Sequence, residues 1–336
     1  MYTYFYVIII LLALIYILIP KNLFLNTNKN PHQNFATNYI PPLLGGYFLI
    51  LALFFNPQIN LTQKILYLLI FFSGTLSDFK ILNSPFFRLV FQTAIILIFV
   101  KLTNIYLENT RIFLLDQFLN NDLFNIFFCS FCIVILVNGS NFIDGLNGII
   151  SGYYIIILIA LVSIDTFSSI ADQNFIQFTI FVLFLMLILN LFNKIYIGDS
   201  GSYLLGFFIA TILIKTYVEN PFLSPFFIIL LIWYPCFENL FSIIRKLKTN
   251  ISPLKPDNLH LHQLIFKFFC DNFNFKKNFI NNLSSLIILS YNLIIILISL
   301  TDVINSKFQI LLIIINIITY LCIYLFLLKK NKLIKK

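Results

Sequence analysis

Carboxylates embedded in two glycine clusters are the residues of this chain best suited to chemistry. The segment NGSNFIDGLNG (138–148) contains Asp144, and GDSGS (198–202) contains Asp199. Glycine permits tight turns and lets backbone amides approach a phosphate closely, and carboxylate oxygens are ligands that Mg²⁺ takes. These clusters therefore indicate an Mg²⁺–diphosphate site. The structural alternative is that Asp199 caps a helix and that the glycines ease helix packing.

Two further polar segments carry ionisable residues. Asp78 and Arg88 lie at the two ends of a segment between apolar runs, and His260 and His262 stand two positions apart in SPLKPDNLHLHQ. The remaining histidine, His32, lies in an early polar segment. A zinc site at the histidine pair is disfavoured, because no cysteine or further histidine accompanies it in that segment. We expect these polar segments to lie on the same side of the protein as the two glycine clusters.

Apolar runs must position all of these residues. The chain is 60% hydrophobic and 10% charged, with a mean hydropathy of +0.94, whereas soluble domains carry about 25% charged residues. We therefore predict an all-α, polytopic integral membrane protein with one transmembrane domain over residues 1–336 and about eleven transmembrane helices. The predicted spans are 2–19, 42–56, 61–77, 87–104, 123–138, 148–164, 175–193, 201–217, 222–243, 281–300 and 307–328.

The distribution of basic residues predicts the orientation. All of the 22 Lys and Arg residues except Lys64, Lys101, Arg111, Lys215 and Lys307 fall on one side of these spans. The positive-inside rule places that side in the cytoplasm, with the N-terminus outside and the C-terminus inside a plasma (inner) membrane. The net charge of +9 thus needs no nucleic-acid partner. The cytoplasmic loops that carry the motifs are predicted near 20–41, 77–88, 138–148, 193–201 and 244–280.

The motifs together match a known family. NFIDGLNG, YIGDSGSYLLGF and KPDNLHLHQ follow a PPLLGG segment and an SD…SP..R…Q run in this order, and the set resembles the polyprenyl-phosphate N-acetylhexosamine-1-phosphate transferases. The resemblance implies transfer of a sugar-1-phosphate from a UDP-sugar to undecaprenyl phosphate in the bilayer, with release of UMP and a requirement for Mg²⁺ or Mn²⁺. It also implies the initiating step of O-antigen or other cell-envelope polysaccharide assembly, and it leaves a homodimer open.

Residue roles follow from the resemblance position by position. The metal ligands that it implies are Asn141 and Asp199. The catalytic residues that it implies are Asp78, Asp144, Asp199, His260 and His262. The substrate-binding residues that it implies are His32, Arg88, Asn138, Asn147, Arg245 and Asp257.

The chain departs from the family pattern at three positions. Ser77 replaces the first Asp of an Asp-Asp pair, Gln263 replaces a third histidine, and Glu238 stands where many relatives have Asp. An inactive homologue therefore remains an alternative, as does the phospho-MurNAc-pentapeptide transferase branch of peptidoglycan synthesis. An alternative of another class is a secondary transporter, which would place its carboxylates near the middle of the bilayer. The sequence leaves the choice of UDP-sugar open.

Overall fold

A computed structural model describes residues 41–57, 59–164, 166, 170–255 and 257–333, and over these ranges the regular structure is helical apart from one bridge between Leu43 and Tyr196. The helices are α1 Gly45–Phe54, α2 Leu61–Asp78, α3 Pro85–Thr103, α4 Phe113–Leu119, α5 Asp122–Ile143, α6 Ile149–Ser163, α7 Ile170–Leu191, α8 Gly198–Glu219, α9 Pro225–Leu231, α10 Trp233–Lys248, α11 Leu261–Asn272, α12 Lys277–Ser299 and α13 Ser306–Leu333. The prediction of an all-α polytopic protein is confirmed.

The number of spans is smaller than predicted over the described part of the chain. Six helices there are long and apolar enough to cross a membrane, or seven if α9 and α10 form one broken span. Helices α1 and α6 are shorter apolar helices. The predicted span 2–19 lies outside the described residues. The predicted total of eleven is therefore not confirmed.

Helix starts follow local sequence signals. Asn60 precedes α2, and its side chain accepts the backbone N–H of Gln63 at 2.8 Å while the Gln63 side chain accepts that of Asn60 at 3.4 Å. This reciprocal capping satisfies two amides that a helix start leaves unpaired. Pro85 occupies the first turn of α3, where its missing N–H costs nothing. Pro85 thus begins the helix that carries Arg88, three residues before it.

Helix α8 lies at the centre of the bundle. It packs against α1, α2 and α5, and 83% of the residues in its most apolar stretch are buried. Helix α8 approaches the backbone of α2 closely, because a Cβ atom added to Gly74 would lie 2.3 Å from the Cα atom of Ser200. The absence of a side chain at position 74 therefore lets the two backbones touch beside the first turn of α8.

We expect Gly74→Ala to destabilise the protein by about 1–3 kcal/mol, because the methyl group meets backbone atoms that cannot rotate away. A matched control is Gly152→Ala, whose new methyl would meet the flexible side chain of Leu289, with the Cδ1 atom nearest at 2.6 Å. The measurement is the midpoint of thermal unfolding in detergent. Equal midpoints for the two variants would contradict the close packing of α2 on α8.

The predicted span 222–243 is not one straight helix. Helices α9 and α10 meet at Ile232 with a bend of 76°. Pro235 explains the break, because a proline has no N–H to donate to the carbonyl of Leu231 and its ring clashes with that carbonyl. The bend is a correction to the predicted span. It turns α10, with its basic end, away from the direction of α9.

The predicted loop 244–280 also needs correction, because it contains helix α11. Leu261, Leu264, Ile265 and Phe268 of this helix are buried or half-buried against the core, and their i, i+3, i+4, i+7 spacing is that of an amphipathic helix. Helix α11 packs against α12 and α13. The polar segment before it is therefore tethered to the bundle at both of its ends.

Candidate functional site

The motif residues converge on a cavity of about 560 Å³. It lies where α2, α5 and α10 end and where α3, α8 and α11 begin. The residues singled out from the sequence that line it are Asp78, Arg88, Asn138, Asn141, Asp144, Asn147, Asp199, Asp257 and His260. His262 and Arg245 lie outside this lining. His32 is outside the described residues.

Asp199 is held by side chains from three other helices. Its Oδ2 atom accepts a hydrogen bond from Nη1 of Arg88 at 3.0 Å and another from the hydroxyl of Ser77, which in turn accepts from Arg88. Its Oδ1 atom accepts from Nδ2 of Asn141 at 2.8 Å. Tyr203 also lies 3.4 Å from Nη1 of Arg88. Both oxygens of the carboxylate are thus oriented by charged or polar donors at the cavity wall.

Asp78 caps helix α8. Its carboxylate accepts the backbone N–H groups of Asp199 at 2.8 Å and Ser200 at 3.0 Å. The structural alternative from the sequence, in which Asp199 is the cap, is therefore wrong. Gly198 has a φ of +75°, and a Cβ atom there would lie 2.9 Å from Oδ2 of Asp78, so glycine is needed for this arrangement. Burial, and then the charge of Asp199, raise the pKa of Asp78 to about 7.

Asp144 adds a third carboxylate to this wall. It follows the last residue of α5, and its backbone N–H donates to the carbonyl of Asn141 at 3.3 Å. Burial, and then the charges of Asp199 and Asp78, raise its pKa well above the usual range. The charge of Asp199 thus disfavours the ionised forms of Asp78 and Asp144, and a cation in the cavity would favour them.

Asn147 joins the loop after α5 to helix α12 and to the segment that follows α7. Its backbone N–H donates to the side chain of Asn281 at 2.7 Å, and its Nδ2 atom donates to Asn193 at 2.9 Å and to Asn282 at 3.2 Å. Asn190 accepts the N–H of the next residue, Gly148. Asn190 and Asn281 also line the cavity. The sequence reasoning missed both, although an amide inside an apolar run signals a buried hydrogen bond.

The segment between α10 and α11 forms another part of the cavity wall. The guanidinium of Arg245 binds both carboxylate oxygens of Asp257, at 2.8 and 3.3 Å. Lys246, which the sequence reasoning also missed, is almost fully buried and donates to the carbonyls of Pro253 at 3.1 Å and Lys255 at 2.7 Å. Burial alone would raise the pKa of Asp257, but the hydrogen bond from Arg245 and the charges of His260, Arg245 and Lys246 lower it. The side chains of Arg245 and Lys246 thus hold this segment in place at the cavity wall.

The two histidines of this segment have different positions. His260 lines the cavity, with its Nδ1 atom 2.9 Å from Oε1 of Glu238. His262 is fully buried and lies against Gly145, where a Cβ atom would come within 2.2 Å of its Nε2 atom. Its ring also stacks on that of His260, with a centroid distance of 5.7 Å. Position 145 must therefore be glycine for the His262 ring to fit behind the cavity wall.

The oxygen atoms at the cavity wall suit a hard metal cation that also binds a ligand. Within the described ranges, no group of three or more His, Cys, Asp or Glu side chains is arranged to hold a metal ion. Mg²⁺, however, typically takes one or two carboxylates and completes its shell with phosphate oxygens and water. Asp199 offers a carboxylate and Asn141 an amide oxygen, both oxygen ligands. These residues therefore fit Mg²⁺ that is shared with a phosphorylated ligand.

Comparison with known proteins gives a consistent set of matches. Residues 60–217 match the family described as Glycosyl transferase family 4. Three similar proteins, each named undecaprenyl-phosphate alpha-N-acetylglucosaminyl 1-phosphate transferase, come from Escherichia coli O157:H7, Salmonella typhi and Thermotoga maritima. They are 27%, 23% and 30% identical over 67%, 77% and 38% of this chain. The chain spans 65%, 75% and 39% of their respective lengths.

Proposed function

Because the chain belongs to glycosyl transferase family 4, we propose that it transfers an N-acetylhexosamine-1-phosphate from a UDP-sugar to undecaprenyl phosphate. An oxygen of the lipid phosphate attacks the β-phosphorus of the UDP-sugar, the bond from that phosphorus to the bridging oxygen breaks, and UMP leaves. The product is a diphosphate-linked lipid sugar, which would start the assembly of a cell-envelope polysaccharide such as O-antigen. The observation that carries the proposal is Asp199 fixed by Arg88, Ser77 and Asn141 at the cavity.

Charge neutralisation and positioning are the main demands of phosphoryl transfer. Arg88 brings a guanidinium to the cavity wall, where it would bind the phosphates of the donor. Asp199 and Asn141 would hold Mg²⁺, which when bound neutralises charge on the diphosphate. Asp78 keeps the first turn of α8 in place through two backbone amides. The lipid phosphate is largely ionised near neutral pH and needs little help from a general base.

The location of the carboxylates supports an enzyme over a transporter. Asp78 is the last residue of α2, Asp144 follows α5, and Asp199 is in the first turn of α8. A transporter would place such groups near the middle of its spans. Carboxylates at helix ends suit a site at the membrane edge, where a water-soluble nucleotide meets a lipid phosphate.

The proposal extends to the membrane setting. We place the cavity on the cytoplasmic side of the inner membrane, with the N-terminus outside and the C-terminus inside. The basic residues Arg245, Lys246 and Lys248 at the end of α10 support this orientation. Homodimers and the use of Mn²⁺ in place of Mg²⁺ belong to the same proposal. Nucleic acid has no part in it.

The test is UMP release by membranes that contain the protein. With undecaprenyl phosphate, Mg²⁺ and a panel of UDP-N-acetylhexosamines, we expect one sugar to give UMP and organic-soluble sugar label in equal amounts. UDP-MurNAc-pentapeptide in the same panel tests the peptidoglycan alternative. No UMP with any donor would overturn the proposed reaction. UMP without lipid-linked label would indicate hydrolysis instead of transfer.

A further inference from the structure

The imidazole ring of His260 is held on three sides. Its Nδ1 atom lies 2.9 Å from Oε1 of Glu238, and its Nε2 atom lies 3.5 Å from Oδ1 of Asp257. One face of the ring stacks on Phe142 with a centroid distance of 5.3 Å. Phe142, Asp257 and His260 all line the cavity. The ring thus has one orientation at the wall of the candidate site.

Glu238 uses both carboxylate oxygens on polar partners. Besides His260, its Oε1 atom accepts the backbone N–H of Leu261 at 3.3 Å, and its Oε2 atom accepts the hydroxyl of Tyr320 at 2.9 Å. Glu238 is only 1% exposed, and Tyr320 only 2%. Tyr320 comes from α13, the last described helix, so one carboxylate links α10, α11 and α13.

Stability alone does not explain this arrangement. A buried carboxylate is costly to desolvate, and apolar residues of similar size often replace buried charged groups without loss of stability. The surroundings of Tyr320 are already apolar and aromatic, with Phe237 and Phe241 at centroid distances of 4.9 and 5.3 Å. What an apolar replacement would lose is the hydrogen bond that aims His260 at the cavity.

We propose that Glu238 and Tyr320 are positioning residues that orient His260 toward the diphosphate of the bound UDP-sugar. Tyr320 fixes the Glu238 carboxylate, and Glu238 fixes the ring. The role in turnover rests on the proposed function, whereas the fixing of the ring does not. The last helix thereby contributes to the site without lining the cavity.

The first test is a double-mutant cycle on UMP release. Tyr320→Phe keeps the aromatic ring, and we expect it to lower kcat/KM about tenfold, as loss of one hydrogen bond to a charged group does. In a His260→Ala background the same change should lower kcat/KM by less than about twofold, because the residue through which Tyr320 acts is gone. An equal loss in both backgrounds would overturn the proposal. Glu238→Gln should behave in the same way as Tyr320→Phe.

Tyr291→Phe is the matched control. The Tyr291 hydroxyl donates to Oδ1 of Asn316 at 2.6 Å and also links α12 to α13, but it does not contact His260 or Glu238. We expect its kcat/KM to equal that of the wild type. A loss as large as that of Tyr320→Phe would mean that any weakening of the α13 contacts lowers activity, and it would overturn the specific role of Tyr320.

A second measurement needs no turnover. Diethyl pyrocarbonate acylates ring nitrogens of histidine, and peptide mass spectrometry measures the rate at each position. Tyr320→Phe and Glu238→Gln should raise the rate at His260 severalfold over the wild type, whereas Tyr291→Phe should leave it unchanged. Unchanged labelling in the first two variants would overturn the fixing of the ring. If the wild type releases no UMP, faster labelling still supports the positioning while the proposed function fails.

Discussion

Asp199→Asn is expected to lower the rate of UMP release by about 10²–10³-fold, the loss typical when one preorganised electrostatic group is removed from an active site. Both oxygens of Asp199 accept hydrogen bonds, one from Arg88 and the other from Asn141. An asparagine side chain places its NH₂ group against one of these donors. It also removes the negative charge that balances Arg88 and that would bind Mg²⁺.

The fold should tolerate this change. The cap of α8 is formed by the backbone amides of Asp199 and Ser200 with Asp78, and an asparagine keeps the amide. The matched control is Asp116→Asn on α4, where the carboxylate accepts from the backbone N–H and hydroxyl of Thr110 and does not line the cavity. That variant should retain wild-type activity. An Asp199→Asn enzyme with more than about a tenth of the wild-type rate would contradict the central role of this carboxylate.

Arg88→Ala is expected to cost about 10²-fold in UMP release, and Arg88→Lys substantially less. Nη1 of Arg88 lies within hydrogen-bond distance of Asp199, Ser77 and Tyr203. Alanine removes the positive charge from the cavity and leaves Asp199 without its counter-ion. Lysine restores the charge without the planar group that contacts several partners at once.

Lys215→Ala serves as the control for loss of a positive charge. Lys215 pairs with Glu219 at 3.7 Å near the other end of α8, and its side chain is 55% exposed. Removal of an exposed pair of this kind changes stability little, so activity should stay at the wild-type level. The measurement is UMP release at saturating and at limiting UDP-sugar. Equal activity of Arg88→Ala and Arg88→Lys would argue against a charge-based role for Arg88.

The sequence predicted the positions of most helices because apolar runs in a lipid solvent leave few alternatives. Helix α8 illustrates this: the run predicted over 201–217 is a helix over Gly198–Glu219. The convergence of Asp78, Asp144 and Asp199 followed from loops that alternate between two sides. The described structure confirms that these residues lie at one cavity.

Contacts between distant positions could not be predicted in the same way. The hydroxyl of Ser77 joins Arg88 to Asp199, although the sequence shows only a serine in place of an acid. The burial of His262 behind Gly145 depends on how α11 packs, and the predicted loop had no helix there. Two signals were present and unused: Pro235 inside an apolar run, and the amphipathic spacing of α11.

The contact of Gly74 with Ser200 has a consequence for how the cavity adapts to substrates of different size. Because α2 and α8 meet backbone to backbone there, Asp78 and Asp199 lie on one rigid wall and keep their separation. The segment between α10 and α11 is joined to the rest of the wall through the side chains of Arg245 and Lys246, whose torsions rotate more easily than a packed backbone shifts. Under the proposed function, we therefore expect discrimination among sugars to depend on the segment between α10 and α11, while the wall that carries Asp78 and Asp199 stays the same for every donor.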